Sequence, residues 1–385
     1  MRPSLPPARL APVGPIRVLA AAALLALTGT RRAPAAEPVA PDDPGLQAFI
    51  YAVPKAELHV HLEGTIDPEE YLRLAARNGL TTPFPSAAAV RERLRHAKDL
   101  NTFIEVFVDM QAVIRTEADI HDIALSYFTR ARAQGIVYIE MFFDPQTHLE
   151  RGLTLATIFA GLDSARTEAA QRLGLHAEYI MCFNRNRSAE SAMAVLEASQ
   201  PWRGRYIGIG LDNPEETNFP AKFAAVYARA RTLGLHLTSH CDVDQPNTLA
   251  HIRGCLDTLR VERIDHGVNV LDAPDLIAAV RDRHVGLTVC PTLLYTEIPG
   301  RMEKRGAAIR RMLELGLLAT VNADDPGIMR GLLPGDLLWK LHETVGLSRA
   351  EVTQLARNSF QVAWLAEPER SADLAAVQAV VARQP

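Results

Sequence analysis

At 385 residues, with 48% apolar and 22% charged side chains and a formal net charge of -4, the chain has the composition of a globular protein with a large core. It has no basic block and no interleaving of aromatic and basic residues, which argues against nucleic acid as a partner. Its four cysteines, Cys182, Cys241, Cys255 and Cys290, are scattered without a C-x-x-C pair, so buried free thiols are expected and a ribbon-type structural zinc site is excluded.

The N-terminus supports two readings. Arg2, Arg9 and Arg17 precede the apolar run 18–27, and Ala33-Pro-Ala35 offers small residues for cleavage, the layout of a secretory signal peptide. That run is too short to cross a bilayer. Residues 1–36 also lack Asp, Glu and Lys. Of the chain's 41 basic residues only those at 55, 98, 222, 304 and 340 are lysine, the bias of a GC-rich coding sequence. The balance falls toward a mis-assigned start near Val39 and a cytoplasmic protein, with export to the periplasm as the alternative. We expect an N-terminal extension over residues 1–45 and one domain over 46–385.

From Lys55 to Gly64 an apolar run carries His59 and His61 two residues apart. On a strand such side chains share a face, so both imidazoles converge on one point, as metal ligands do. Alone, the pair is equally a half-buried strand with two structural histidines. Asp67-Pro-Glu-Glu then opens a helix, with Asp as N-cap, Pro at the first position and acids in the first turn. Residues 86–134 read as helices without a strand, an insertion of the kind that often forms lids. Strand-like runs recur at 136–143, 176–183, 206–211, 235–239, 263–266, 285–290 and 317–322, with helical patterns between them. Together with 56–62 they make eight β/α units, which predicts a (β/α)8 TIM barrel, followed by extra C-terminal helices near 349–366 and 371–383.

This placement puts His59, His61, His240, His266 and Asp324 at the carboxyl ends of strands one, five, six and eight, where barrel enzymes build active sites. Three imidazoles and a carboxylate suit one Zn²⁺ or a similar divalent ion with room for water. An ion there brings the pKa of its water toward neutrality and yields a hydroxide nucleophile, which His266 is placed to hydrogen-bond or deprotonate. Asp212, at the end of strand four, has the position for substrate contact. Glu140, mid-strand among apolar residues, needs a structural ion pair or a place behind a metal ligand. Alternation points Cys241 away from the site. His148 ends the second-strand block and is placed to line the pocket. No G-x-S-x-G elbow, phosphate loop or dinucleotide fingerprint appears.

Pro54-Lys-Ala-Glu-Leu-His-Val-His-Leu-Glu-Gly64 resembles the first metal motif of the adenosine/adenine deaminase family, a branch of the amidohydrolase superfamily. Arg263-Ile-Asp-His-Gly267 resembles its sixth-strand motif and Val321-Asn-Ala-Asp-Asp-Pro326 its eighth. The similarity covers about residues 47–365. It implies that His59, His61, His240 and Asp324 hold zinc, that His266 orients the hydrolytic water, and that Asp325 contacts a purine ring. The stretches 140–148, 182–188 and 208–212 resemble the adenine-type members. Glu63, where nucleoside deaminases carry an Asp that reaches the ribose, points the same way.

One departure is serious. The family's fifth-strand motif is His-Ala-Gly-Glu, whose Glu passes a proton to the ring nitrogen. Here the stretch is His240-Cys-Asp-Val-Asp-Gln245, so Val243 stands at the Glu position. Asp242 or Asp244 is then the candidate proton carrier, Asp244 favoured, against the competing reading that both are loop carboxylates. Asn213-Pro214, where nucleoside deaminases have a glycine, is a second departure. The expected activity is hydrolytic deamination of an adenine-like 6-aminopurine (adenine, adenosine or an N6-substituted adenine), a small-molecule substrate. The alternatives are hydrolysis of a pterin or pyrimidine, or a purine-binding relative without turnover.

Overall fold

The computed structural model describes residues 43–97, 99–214, 219–241, 246–292 and 300–383. Within them run eight strands: β1 (Lys55–His61), β2 (Ile136–Phe143), β3 (His176–Asn184), β4 (Gly208–Asp212), β5 (His236–Cys241), β6 (Arg263–His266), β7 (Gly286–Val289) and β8 (Leu318–Val321). They pair in parallel and in sequence order, with helices in the connections, the (β/α)8 architecture expected from the sequence. Both faces of the strands are covered, so they read as continuous apolar runs rather than alternating ones.

Ring closure runs through a site residue. The Asp324 amide donates to the His59 carbonyl at 2.9 Å and the His61 amide donates to the Asp324 carbonyl at 3.0 Å. Lower down, the Leu58 amide donates to Asn322 Oδ1 at 3.2 Å, and Ala56 to Ser359 Oγ on the helix Arg349–Gln361 at 2.9 Å. Side chains thus complete the ladder where β8 is short, and the chain's first strand is tied to its last.

The expected helical insertion follows β1. Asp67 caps the helix Pro68–Arg77, accepting from the Glu70 amide at 2.8 Å. Ser86, Asp99 and Thr116 cap Ala87–Arg95, Leu100–Gln111 and Glu117–Arg132 in the same way. Strand four starts later than expected, at Gly208 rather than Tyr206. Tyr206 instead turns its hydroxyl onto Ser199 at 2.7 Å, and a Cβ at Gly208 would lie 2.6 Å from the Trp364 ring. Of the expected extension over 1–45, residues 1–42 lie outside the described residues. Among the described residues no helix is long and apolar enough to cross a membrane.

Two buried charges stand beneath the barrel's functional face. Glu140 finds the ion pair its position requires, in Arg263 of β6, whose guanidinium also lies 3.7 Å over the Trp364 ring. Lys55 donates from Nζ to the carbonyls of Val53 (2.9 Å) and Gln134 (2.6 Å), and burial lowers its pKa from 10.5 to about 7. The folded state therefore binds fewer protons than the unfolded chain between about pH 7 and 10.5, and this group's contribution to stability rises with pH across that window. Lys55→Met removes that slope. Relative to wild type, the variant is expected to lose ground by a few kcal/mol in chemical unfolding between pH 7 and 10. An unchanged difference across that range would refute the depressed pKa.

Candidate active site

Strand β1 delivers His59 and His61 together, as a period of two requires. His59 Nε2 and His61 Nε2 each lie 3.1 Å from Nε2 of His240, at the end of β5. His240 Nδ1 donates to the Leu211 carbonyl at 2.8 Å, and His59 Nδ1 meets Thr288 through Oγ1 (3.0 Å) and the carbonyl (3.2 Å). Carbonyls only accept, so both rings carry their proton on Nδ1 and turn the Nε2 lone pair inward. Asp324 Oδ1 completes the group, 3.4 Å from His59 Nε2 and 3.7 Å from His61 Nε2, while His266 Nε2 stands 4.0 Å from Asp324 Oδ2. All five side chains are buried.

His266 (φ 66°) and Asp324 (φ 67°) both hold left-handed backbone. Such strain, about 1–3 kcal/mol per non-glycine residue, collects where a site fixes its geometry. Beneath them Asp265 accepts from Thr238 Oγ1 (2.7 Å) and Thr288 Oγ1 (2.9 Å), so an acid, two hydroxyls and His59 form one chain of support.

The residues fit a divalent ion. Buried lone pairs facing one another at 3.1 Å repel unless a cation lies between them, and three imidazoles with one carboxylate are a zinc donor set that leaves a position for water. Burial and the neighbouring imidazoles pull His240 well below the ordinary histidine range, favouring the neutral ligand form. Burial alone would raise the Asp324 carboxyl, but positive charge in the group outweighs it: with His59 also protonated at Nε2, its charge and hydrogen bond, and then the charge of His266, bring the carboxyl down to about 2. Cys290 lies close enough to His59, His266 and Asp324 to join a metal group, although burial pushes its thiol well above the usual range. Cys241 points away as expected, its Sγ 3.5 Å from that of Cys255.

On the other side of His61 stand four carboxyls: Glu63, Asp144, Asp212 and Asp325. Asp212 Oδ2 is 3.7 Å from His61 Nδ1, and its Oδ1 accepts from Asn213 Nδ2 at 2.9 Å. Glu63 Oε1 accepts from His148 Nε2 at 2.7 Å and from the Asp144 amide at 3.1 Å. Burial opposes ionisation of Glu63, but the His148 pair outweighs it and lowers the pKa. Burial, reinforced by the neighbouring carboxylates, raises both Asp144 and Asp325 well above the usual carboxylate range. Arg185 fastens the strand ends that carry this wall, donating to the carbonyls of Asn213 (2.7 Å) and His240 (2.8 Å).

The structure therefore gathers His59, His61, His240, His266, Asp324, Asp325, Glu63 and Asp212 into one buried cluster at the carboxyl ends of the strands. Asp242, Val243 and Asp244 lie outside the described residues. Asp144 joins this group without having been singled out in the sequence: it lies just past β2, where Asp-Pro also reads as a helix start. Asp265 and Thr288 act behind the histidines; Asp265 lies within the 263–267 block, but nothing local showed which side chains it would hold, and Thr288 had no local signature. The turn at Gly64 is fixed by Asp325, because a Cβ there would fall 1.8 Å from Asp325 Oδ1. Gly64→Ala is expected to displace Asp325 and lower kcat/KM roughly 10²-fold while metal content is kept. Near-wild-type turnover in that variant would show that Asp325's position is immaterial.

The adenosine deaminase family profile matches residues 54–380. An uncharacterized deaminase of Schizosaccharomyces pombe is 41% identical over 326 residues, 85% of this chain and 95% of its own length. An adenine deaminase of Cupriavidus necator is 39% identical over 336 residues, covering 87% and 94%. Among solved structures, an adenine deaminase from Arthrobacter aurescens superposes with a TM-score of 0.80 at 33% identity, over 86% of this chain and all of that one. A Burkholderia ambifaria amidohydrolase crystallised with zinc gives 0.79 at 25% identity, over 90% of this chain and 98% of the other.

Proposed function

The chain belongs to the adenosine deaminase family, and from that premise we propose that it hydrolytically deaminates an adenine-like 6-aminopurine: adenine, adenosine or an N6-substituted adenine. The observation that carries this reading is the convergence of His59, His61, His240 and Asp324 from both ends of the chain, with His266 and Asp325 beside them. Those four residues would hold one zinc ion per chain, as the donor set and the zinc in the Burkholderia relative support. Such an ion supplies Lewis acidity that makes water a nucleophile near neutral pH.

The chain's own residues do the rest. His266 accepts a proton from the attacking water while Asp324 orients it. The water oxygen bonds to the purine carbon that bears the amine, and the adjacent ring nitrogen takes a proton, so that charge does not build on the ring. The carbon–nitrogen bond then breaks, the amine leaves as ammonia, or as the substituted amine, with the proton His266 held, and the hydroxyl left on the carbon returns its proton to the carboxylate that protonated the ring nitrogen, which gives the 6-oxopurine and restores the acid. Asp325, Glu63 and Asp212 line the purine side. We assign the ring-nitrogen proton to Asp244, with Asp242 as its alternate, because Val243 has none to give.

The test is Asp244→Asn beside Asp242→Asn. One of them is expected to lower kcat by roughly 10²–10⁴-fold at unchanged metal content. If neither does so, the proton comes from elsewhere. If the wild type binds purines and metal but turns none over, the chain is a binding relative.

A further inference from the structure

We propose that Cys241 and Cys255 form a reversible oxidation site: hydrogen peroxide joins the two sulfurs as a disulfide, which pulls on the strand end beside His240 and lowers turnover. The loss of turnover rests on the deaminase reading above, whereas the bond itself does not.

The two thiols are already neighbours. Cys241 closes β5 and turns away from the barrel centre, and Cys255 follows the helix Thr248–Gly254, at the start of the turn Cys255–Leu259. Their sulfurs lie 3.5 Å apart, and neither residue is exposed to solvent. A disulfide bond is about 2.05 Å long, so closing it asks for an approach of roughly 1.5 Å. The other two cysteines are placed differently. Cys290 Sγ donates to the Thr288 carbonyl at 3.7 Å, and Cys182 Sγ packs against Gly210, where a Cβ would fall 2.7 Å away.

The chemistry balances with peroxide as the sole oxidant. One sulfur attacks a peroxide oxygen, the O–O bond breaks, and a sulfenic acid forms as the first water leaves with the thiol proton. The second sulfur displaces the sulfenic hydroxyl, which leaves with that sulfur's proton as the second water. The two sulfurs together give up two electrons and the peroxide accepts them. Because the second thiol is in contact from the outset, the sulfenic acid is captured before it oxidises further, and a dithiol reverses the step by exchange. Burial of both sulfurs favours a small uncharged oxidant over a bulky one.

The bond acts on the centre through the backbone. His240 precedes Cys241 in the chain, and His266 is its partner in the register of β5 with β6. The helix that carries Cys255 ends tightly against Pro220, since a Cβ at Gly254 would lie 2.5 Å from Pro220 Cγ. Cys255 therefore has little room to advance, and the end of β5 takes up the movement. The disulfide also closes a ring around residues 242–254, which include Asp242 and Asp244, the assigned proton carriers. A small displacement of a metal ligand or a proton carrier is enough to slow the reaction by decades.

The experiment treats zinc-loaded full-length wild type and Cys255→Ala with hydrogen peroxide and then with dithiothreitol, following non-reducing peptide maps, zinc content and ammonia release from 6-aminopurines. Oxidised wild type is expected to yield a peptide cross-linked between Cys241 and Cys255 and to lose at least about tenfold in kcat/KM at unchanged zinc content, with recovery in dithiothreitol. Cys255→Ala is expected to match reduced wild type and to keep its activity in peroxide. The absence of a cross-linked peptide, a cross-link without loss of turnover, or an equal loss in Cys255→Ala, which would place the damage at another thiol such as Cys290, would each overturn the proposal. The wild-type map needs no variant to fold. A cross-link in a protein that deaminates nothing would sink the deaminase reading and leave the bond standing. Turnover of a 6-aminopurine with no cross-link after oxidation would do the reverse.

Discussion

Asp324→Asn is expected to fold, to lose stoichiometric metal, and to lose about three decades or more of kcat/KM. The backbone of Asp324 closes the barrel through its bonds to His59 and His61, and those survive a side-chain change. Its left-handed φ of 67° is one that Asn tolerates nearly as well as Asp, which makes Asn a cleaner replacement than Ala. What disappears is the only anionic oxygen that faces both His59 Nε2 and His61 Nε2 among the described residues. Metal catalysis contributes several kcal/mol to such hydrolyses, and each 1.36 kcal/mol is a decade in rate. Metal analysis and ammonia release on one preparation check it. Full metal occupancy with wild-type turnover would remove Asp324 from the centre.

The second large effect is on stability. Arg263→Leu is expected to destabilise the fold by about 3–5 kcal/mol, because it leaves the Glu140 carboxylate buried without its counter-charge. Glu140 also accepts from Tyr138 Oη (3.0 Å) and from the Trp364 amide (2.6 Å), so the pair joins β2, β6 and the chain after the helix Arg349–Gln361. Replacing both residues, Glu140→Leu with Arg263→Leu, is expected to be far milder than the sum of the single changes, since desolvation of the pair offsets much of its attraction. Denaturant midpoints of the two single variants and the double variant decide this. Additive losses would mean that the two charges act independently.

Much of this architecture was legible in the chain because its determinants are local. The eight strands announce themselves as apolar runs, and His59 and His61 share a face for the simple reason that side chains alternate along a strand. His240, His266 and Asp324 were visible because each ends or follows a strand at the same end of the barrel. Asp144 follows β2 in the same way, but Asp-Pro reads equally well as the start of a helix, and the helix Pro145–Glu150 does begin there. Thr238, Asp265 and Thr288 were out of reach. Their contact depends on the register that sets His240 against Asp265 and Asp265 against Thr288, a property of three strands together. Glu140 and Arg263 were separately conspicuous, yet only the closed barrel makes them partners. Glu63 illustrates the mixed case: its place after the His-x-His run marked it for the site, whereas its bond to His148 required the fold.

The most direct measurement is ammonia release by zinc-loaded protein, its metal content determined, from adenine, adenosine, N6-substituted adenines, pterins and cytosine. N6-substituted substrates would be followed through the released amine. Clear turnover of a 6-aminopurine, and none of the pterins or cytosine, is the expected result. Stoichiometric zinc with no turnover of any 6-aminopurine would contradict it.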